Sequence, residues 1–368
     1  MMKLKLLLMA CILLFSNRML NAQTEEDLTP EEQAYRDSIA SLNEENAAIA
    51  ASQEAYNEGI ALFGKSNYKA AIKKFDASIK SDPNFTAAYF NKGVAENEAE
   101  LFSDAIKTFN TLIEKSPSYA KAYFQRARAY QGNGDYLSAE KDYLKAVELE
   151  PKNPKAHYNF GTLQFLQQDY DAAIKSFSKT IELNGDDANA YNDRGSSHRM
   201  KGDYAKALKD YETALRKNPD MAFVLNNMGT TRKRMNDHDG AVADFNRAIS
   251  IDKNFHLAYN NRGATEMDRE RYRDALKDFE KCVEVNPKYA PAWANIAAVK
   301  FKMEDYAGAK KAADKAIQLS PDYANAYVNR GMINEMLRDM GAACQDWEKA
   351  KELGSELGET FYSQNCGM

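Results

Sequence analysis

The chain has 368 residues, 44% of them hydrophobic and 28% charged, with a formal net charge of −5 and four cysteines. The charge is unevenly spread: Lys3, Lys5 and Arg18 make the first 22 residues basic, and residues 23–51 carry eight acidic residues (Glu25, Glu26, Asp27, Glu31, Glu32, Asp37, Glu44, Glu45) against Arg36 alone. What remains is nearly neutral, so the bulk of the chain offers no electrostatic footprint for nucleic acid.

Lys3 and Lys5 precede a short apolar run from Leu6 to Phe15, and Leu20-Asn21-Ala22 sets a small residue before Gln23, so residues 1–22 read as a secretory signal peptide. The run is too short to span a bilayer as a stable helix, and no integral membrane span is expected. Leu8-Met9-Ala10-Cys11 offers a rival reading as a lipoprotein box, but apolar residues continue through Ile12 to Phe15 and leave too short a run before Cys11. The mature chain is expected to be exported and periplasmic, with outer-membrane association or secretion as variants of that reading.

Residues 23–51 form an acidic leader. Thr29-Pro30-Glu31-Glu32 is a good helix start, and Tyr35, Ile39, Leu42 and Ile49 follow at roughly helical spacing. The leader is expected to be a solvated helix that runs into the following segment and covers its end. The sharper alternative is a tether or an intramolecular ligand.

From residue 52 one pattern takes over. Alanine recurs every 34 residues, at Ala71, Ala105, Ala139, Ala173, Ala207, Ala241, Ala275, Ala309 and Ala343, with no insertion or deletion between copies. Twelve residues before each lies a small residue: Gly59, Gly93, Ala127, Gly161, Gly195, Gly229, Gly263, Ala297 and Gly331. Glycine inside a helix costs about 1 kcal/mol relative to alanine, so its retention implies a close contact, and the small residue and the alanine are expected to face each other. Four residues after the alanine comes a large ring, Phe75, Phe109, Tyr143, Phe177, Tyr211, Phe245, Phe279 or Trp347, with Ala313 the exception. Alanine and ring share one helix face. Pro83, Pro117, Pro151, Pro219, Pro287 and Pro321 then stop the second helix on the same period. Each unit is therefore helix, turn, helix.

These glycines, alanines, rings and prolines, at this spacing over residues 52–357, closely resemble the tetratricopeptide repeat family. Phased by the prolines, nine gapless 34-residue units run from 52–85 to 324–357, and residues 358–368 are left as a capping tail. The resemblance implies an all-α fold, a right-handed α-solenoid whose first helices line a concave wall, and a non-catalytic role in binding protein or extended peptide.

Arg126, Arg194, Arg262 and Arg330 precede the small slot in four units, and the same units carry Asp142, Asp210, Asp278 and Asp346 sixteen residues later. The correlation predicts an ion pair between the two helices of a unit rather than a ligand site. One residue earlier every unit has a short polar group: Asn57, Asn91, Gln125, Asn159, Asp193, Asn227, Asn261, Asn295 and Asn329. Asparagine is poor in helix interiors, so propensity does not explain the row. In the family this slot faces the concave wall, and the row resembles the asparagine ladder of O-linked N-acetylglucosamine transferases. That likeness implies a grip on the backbone of an extended peptide, the alternative being a brace between neighbouring helices. The slot before the row holds Tyr56, Phe90, Phe124 and Tyr158 in the first four units, Asn192, Asn226 and Asn260 in the next three, then Ala294 and Val328, and is expected to give the groove an aromatic N-terminal half and a polar middle. Arg128, Arg199, Lys233 and Arg234 occupy later first-helix places expected to project inward.

Cys344 and Cys366 lie in the last unit and the tail, where an oxidising compartment would let them staple the exposed end, although spacing alone does not fix their pairing. Cys282 is expected to be an inert core residue. His157, His198, His238 and His256 fall in different units, and the chain has no Walker loop, no GxSxG and no paired-cysteine zinc spacing. No enzyme activity, cofactor or metal is expected. The function expected is a protein- or peptide-binding scaffold of the cell envelope, the alternative being an assembly component that acts through its convex face or its N-terminal helix.

Overall fold

Thr29 caps a helix: its hydroxyl accepts the Glu32 backbone N–H at 3.3 Å, and its own N–H donates to the Glu32 carboxylate at 3.0 Å. In the computed structural model, which describes residues 29–366, the helix that follows runs unbroken over Pro30–Gly64. The acidic leader thus runs into the first helix of repeat one as a single rod, continuous through position 51. Glu32 is buried on it, while Ile39, Leu42 and Ile49 are exposed.

The described residues hold nineteen helices and no strand. Eighteen form nine helix-turn-helix pairs, and the last, Glu356–Asn365, stands alone at the C-terminal end. Six second helices end at Ser81, Lys115, Leu149, Lys217, Val285 and Leu319, each one residue short of the residue that precedes a phased proline. Asp135, Asp169, Asp237, Asp305 and Asp339 start second helices by accepting the N–H of Ser138, Ala172, Gly240, Gly308 and Ala342. The chain divides into two compact units between Lys152 and Asn153, the first with repeats one to three and the second with repeats four to nine. Within each unit a first helix packs on its own second helix, and that second helix on the next first helix.

The close contact that the glycines imply is real, but its partner differs from the one expected. A Cβ added at Gly93 would lie 2.5 Å from the Phe109 ring, and one at Gly195 would lie 2.9 Å from the Tyr211 ring. The glycine therefore faces first the ring four residues after the alanine, and then the alanine by its backbone, the Ala207 carbonyl oxygen lying 3.2 Å from a Cβ added at Gly195. Repeat eight shows the same logic reversed, with Ala313 in place of the ring and Ala297 in place of the glycine. Phe75, Phe109, Tyr143, Phe177, Tyr211, Phe245, Phe279 and Trp347 are all fully buried, and each contributes roughly 1.5–3 kcal/mol of apolar burial.

Every repeat turns through one left-handed residue. Gly134 and Gly202 have φ of 81° and 84°, and Ser66, Glu100, Gln168, Asn236, Glu270, Glu304 and Arg338 occupy the same place at φ between 56° and 64°. At the C-terminal end Phe361 of the last helix stacks on Trp347 with 5.4 Å between ring centroids. Cys344 and Cys366 join across the same junction, their Cα atoms 5.7 Å apart.

Candidate functional site

The arginine row is engaged within the fold. Arg126 meets Asp142 with two hydrogen bonds, Nε to Oδ2 at 2.6 Å and a terminal nitrogen to Oδ1 at 2.8 Å, and Arg194 meets Asp210 in the same way at 2.8 and 2.7 Å. Arg262 with Asp278 and Arg330 with Asp346 repeat the fork. The remaining terminal nitrogen reaches one repeat back, to Asn110, Ser178, Asn246 and Asp314 respectively. A tyrosine three residues earlier lies beside each guanidinium, as Tyr191 does at 5.5 Å from Arg194. A planar cation fits such a fork, and each arginine here ties three helices together. In repeat two, which lacks the pair, Lys92 bridges Asp76 and Glu96.

The asparagine row is also engaged, between first helices. Asn227 donates to Asn192 Oδ1 at 3.1 Å, Asn261 to Asn226 Oδ1 at 2.9 Å, and Asn295 to Asn260 Oδ1 at 2.9 Å, always 35 residues back. Asn329 uses the Ala294 carbonyl, and in repeat two Asn91 uses the Tyr56 hydroxyl. Asp193 is the one acid in the row and accepts the Tyr158 hydroxyl at 2.6 Å and the Asn192 amide at 2.8 Å, while burial pushes its carboxyl above the usual range. Three members do otherwise: Asn57 accepts from Gln53, Asn159 donates to the Lys155 carbonyl, and Gln125 accepts from Arg128. The brace consumes one of the two amide hydrogens, so the half-buried members keep hydrogen-bonding capacity toward solvent.

The slot before the row forms no open aromatic wall. Phe124 is buried, and Tyr56, Phe90 and Tyr158 are half-buried with their rings against Phe75, Phe109 and Phe177 of their own second helices. Asn192, Asn226 and Asn260 are buried in this slot and act as acceptors for the next repeat.

Openings lie one turn further along the first helices. A cavity of about 300 Å³ is lined by Thr162 and Phe165 of Pro154–Leu166, by Asn192, Asp193, Ser196 and Arg199 of Ala188–Met200, and by Phe177 and Asn227. A second, of about 340 Å³, is lined by Thr230, Lys233, Arg234, Phe245 and Asn261. The two coincide in register, since Ser196, Arg199 and Asn227 become Thr230, Lys233 and Asn261 on adding 34. A third, of about 170 Å³, continues the register with Met267, Ala298, Phe301, Lys302, Asn329 and Met332.

Three of the four inward cations expected from sequence therefore line cavities. Arg128 instead holds Gln125 and, at 3.3 Å, Glu98. Arg199 Nε is buried without a hydrogen-bond partner. Phe165, Met267, Phe301 and Met332 are not singled out by the sequence pattern used above; the signal that finds the first three is the same 34-residue spacing, applied six residues after the asparagine row.

Catalytic groupings are sparse. Among the described residues no group of three or more histidines, cysteines or carboxylates could hold a metal ion, and no helix is long and apolar enough to cross a membrane. Burial pushes the His198 imidazole down and the Cys282 thiol up to about 12, which leaves that thiol unreactive at neutral pH. Residues 1–22, expected from sequence to be a signal peptide, and Cys11 within them lie outside the described residues.

Tetratricopeptide repeat family models match residues 56–120, 124–188, 186–254, 256–289 and 295–354, in the phase of the helix pairs. The chain is a tetratricopeptide repeat protein. It is similar in fold to a tetratricopeptide repeat protein from Parabacteroides merdae, at 23% identity and a TM-score of 0.56, over 67% of this chain and 98% of that one. The Cut9–Hcn1 hetero-tetramer of the APC/C gives 14% identity and a TM-score of 0.54 over 86% of this chain and 76% of that one. PilF of Pseudomonas aeruginosa gives 19% and 0.50 over 57% and 97%. At such identities these likenesses speak for the fold alone. No curated protein matches the chain. Tetratricopeptide repeats build interaction scaffolds, and that coarse role is what the family assigns.

Proposed function

We propose that this tetratricopeptide repeat protein is a non-catalytic scaffold of the cell envelope that binds an extended polypeptide along its first-helix face. The observation that carries the reading is the register of the three cavities, each at a junction between first helices and each rimmed by a member of the asparagine row. A row of equivalent openings suits a ligand that is itself periodic, and an extended chain with side chains at regular intervals is such a ligand. The envelope part of the reading rests on the basic and apolar pattern of residues 1–22.

Filling the second and third cavities tests the binding mode. Thr230→Trp with Ala298→Trp, folding checked by circular dichroism, is expected to release partners that the wild type and the second-helix control Leu137→Trp both retain from an envelope extract. Equal retention by all three would remove the groove. The exposed Ile39, Leu42 and Ile49 of the Pro30–Gly64 helix favour a second reading, assembly through that rod. Loss of partners on changing those three to serine, with the filled cavities harmless, would select it.

A further inference from the structure

The slot six residues after the asparagine row decides what each opening offers. From repeat four to repeat eight this slot reads Phe165, Arg199, Lys233, Met267 and Phe301, so two cations stand between apolar groups. All five line the cavities just described. In repeats two and three the same slot is spent on internal bonds, Asn97 donating to the Gln125 carbonyl and Gln131 accepting from Tyr143. From repeat four to repeat eight the slot instead lines an opening, although Phe165 and Phe301 also pack one side of their rings on Tyr170 and Tyr306.

Among the described residues the first of the two cations has no counter-charge, and the second has one that is half-exposed. Arg199 makes no ion pair among the described residues, and its buried Nε has no acceptor. A buried guanidinium nitrogen left unsatisfied is costly, and an incoming carboxylate would supply the missing acceptor. Lys233 holds the half-exposed Asp268 at 3.0 Å, and Arg234 beside it on the cavity rim makes no ion pair among the described residues. Asp193, the acid in the first cavity, is already held by Tyr158 and Asn192, which limits its opposition to an incoming acid.

Neighbouring first helices pack roughly 8–10 Å apart, and an extended chain advances about 3.3 Å per residue, so successive slots fall about three residues apart on the ligand. Resting on the groove reading above, we propose that the face takes an extended segment in which two acidic side chains, about three residues apart, are flanked on both sides by apolar ones. The pattern reads alike in both chain directions. Binding therefore needs no fixed polarity.

The test uses the full chain and a labelled peptide carrying Leu, Glu, Glu and Leu at three-residue intervals in a serine-glycine background, read by fluorescence anisotropy. Changing both Glu to Gln, or both Leu to Ser, is expected to weaken binding at least roughly tenfold, and added salt to weaken the Glu peptide alone. Arg199→Glu with Lys233→Glu is expected to exchange preference from the Glu peptide to one with Lys in its place, and Arg199→Gln to lose the Glu preference without gaining another. If Glu and Gln peptides bind alike, the proposal fails and the groove stands. If no peptide binds, the proposal also fails, and the filled-cavity variants then decide separately whether the groove is used.

Discussion

Asn261 donates to Asn226 at 2.9 Å and accepts from Asn260 at 3.5 Å, so one side chain links two first helices and a neighbour on its own. Members of the row thus brace the array and, with their remaining valence, edge its openings. Asn261→Ala is expected to cost about 1–2 kcal/mol in urea denaturation, since the buried Asn226 loses the donor to its Oδ1 and the buried Asn260 loses the acceptor of its N–H. An unchanged midpoint would mean that the row stands free of the fold.

Arg194 and Asp210 give a second stability test. Asp210 is 5% exposed, so Arg194→Met alone strands a buried carboxylate and is expected to cost about 3 kcal/mol or more. Asp210→Leu added to it should recover most of that loss. A double change no better than either single one would refute the pairing.

Much of this was legible before any coordinates. A strict 34-residue period, kept by small residues, rings and prolines, phases every helix, and the agreement of Arg194 with Asp210 sixteen residues on identifies a contact without an alignment. Other features were hidden for physical reasons. The left-handed turn residue is glycine only at 134 and 202, because a turn that tertiary packing over-determines tolerates Glu100 or Arg338 at a modest cost. Tyr56 and Phe90 read as a groove wall, since a first helix buries one face on its own second helix and another on the next repeat, and one helical period cannot separate these from the open face. The cavities needed both burials to be known first.

The hidden turn residue gives a third expectation. Glu270 holds φ of 59°, a conformation that disfavours residues with a Cβ. Glu270→Gly should stabilise the chain by about 0.5–1 kcal/mol, measured by thermal unfolding. Destabilisation would mean that the Glu270 side chain has a role beyond the turn.

Asp193 sets a pH dependence. Burial raises its folded-state pKa above the unfolded value, so the stability it lends is complete below the unfolded value, near pH 3.9, and is lost as pH rises through the folded one. Asp193→Asn should therefore be at least as stable as the wild type at pH 7, with the two converging in acid. A variant weaker at pH 7 and unchanged in acid would show that the carboxylate itself is favoured there.

At the C-terminal end, breaking the Cys344–Cys366 link should free the Glu356–Asn365 helix from Trp347, because each repeat is held only by its neighbours. Hydrogen exchange of the reduced protein should quicken in that helix and in Met340–Glu352, and not in repeats four to seven. Faster exchange throughout would mean that the cap governs the whole array.

The most direct test of the account places a photo-reactive phenylalanine analogue at Thr230, Phe301, Leu42 or Leu137 in turn and maps the products of irradiation in cells by mass spectrometry. One polypeptide segment is expected to be captured from both Thr230 and Phe301, with the two attachment points about six residues apart on it, given two repeats between the sites and about 3.3 Å per residue. Capture from Leu137 or Leu42 alone, with nothing joined at Thr230 or Phe301, would contradict it.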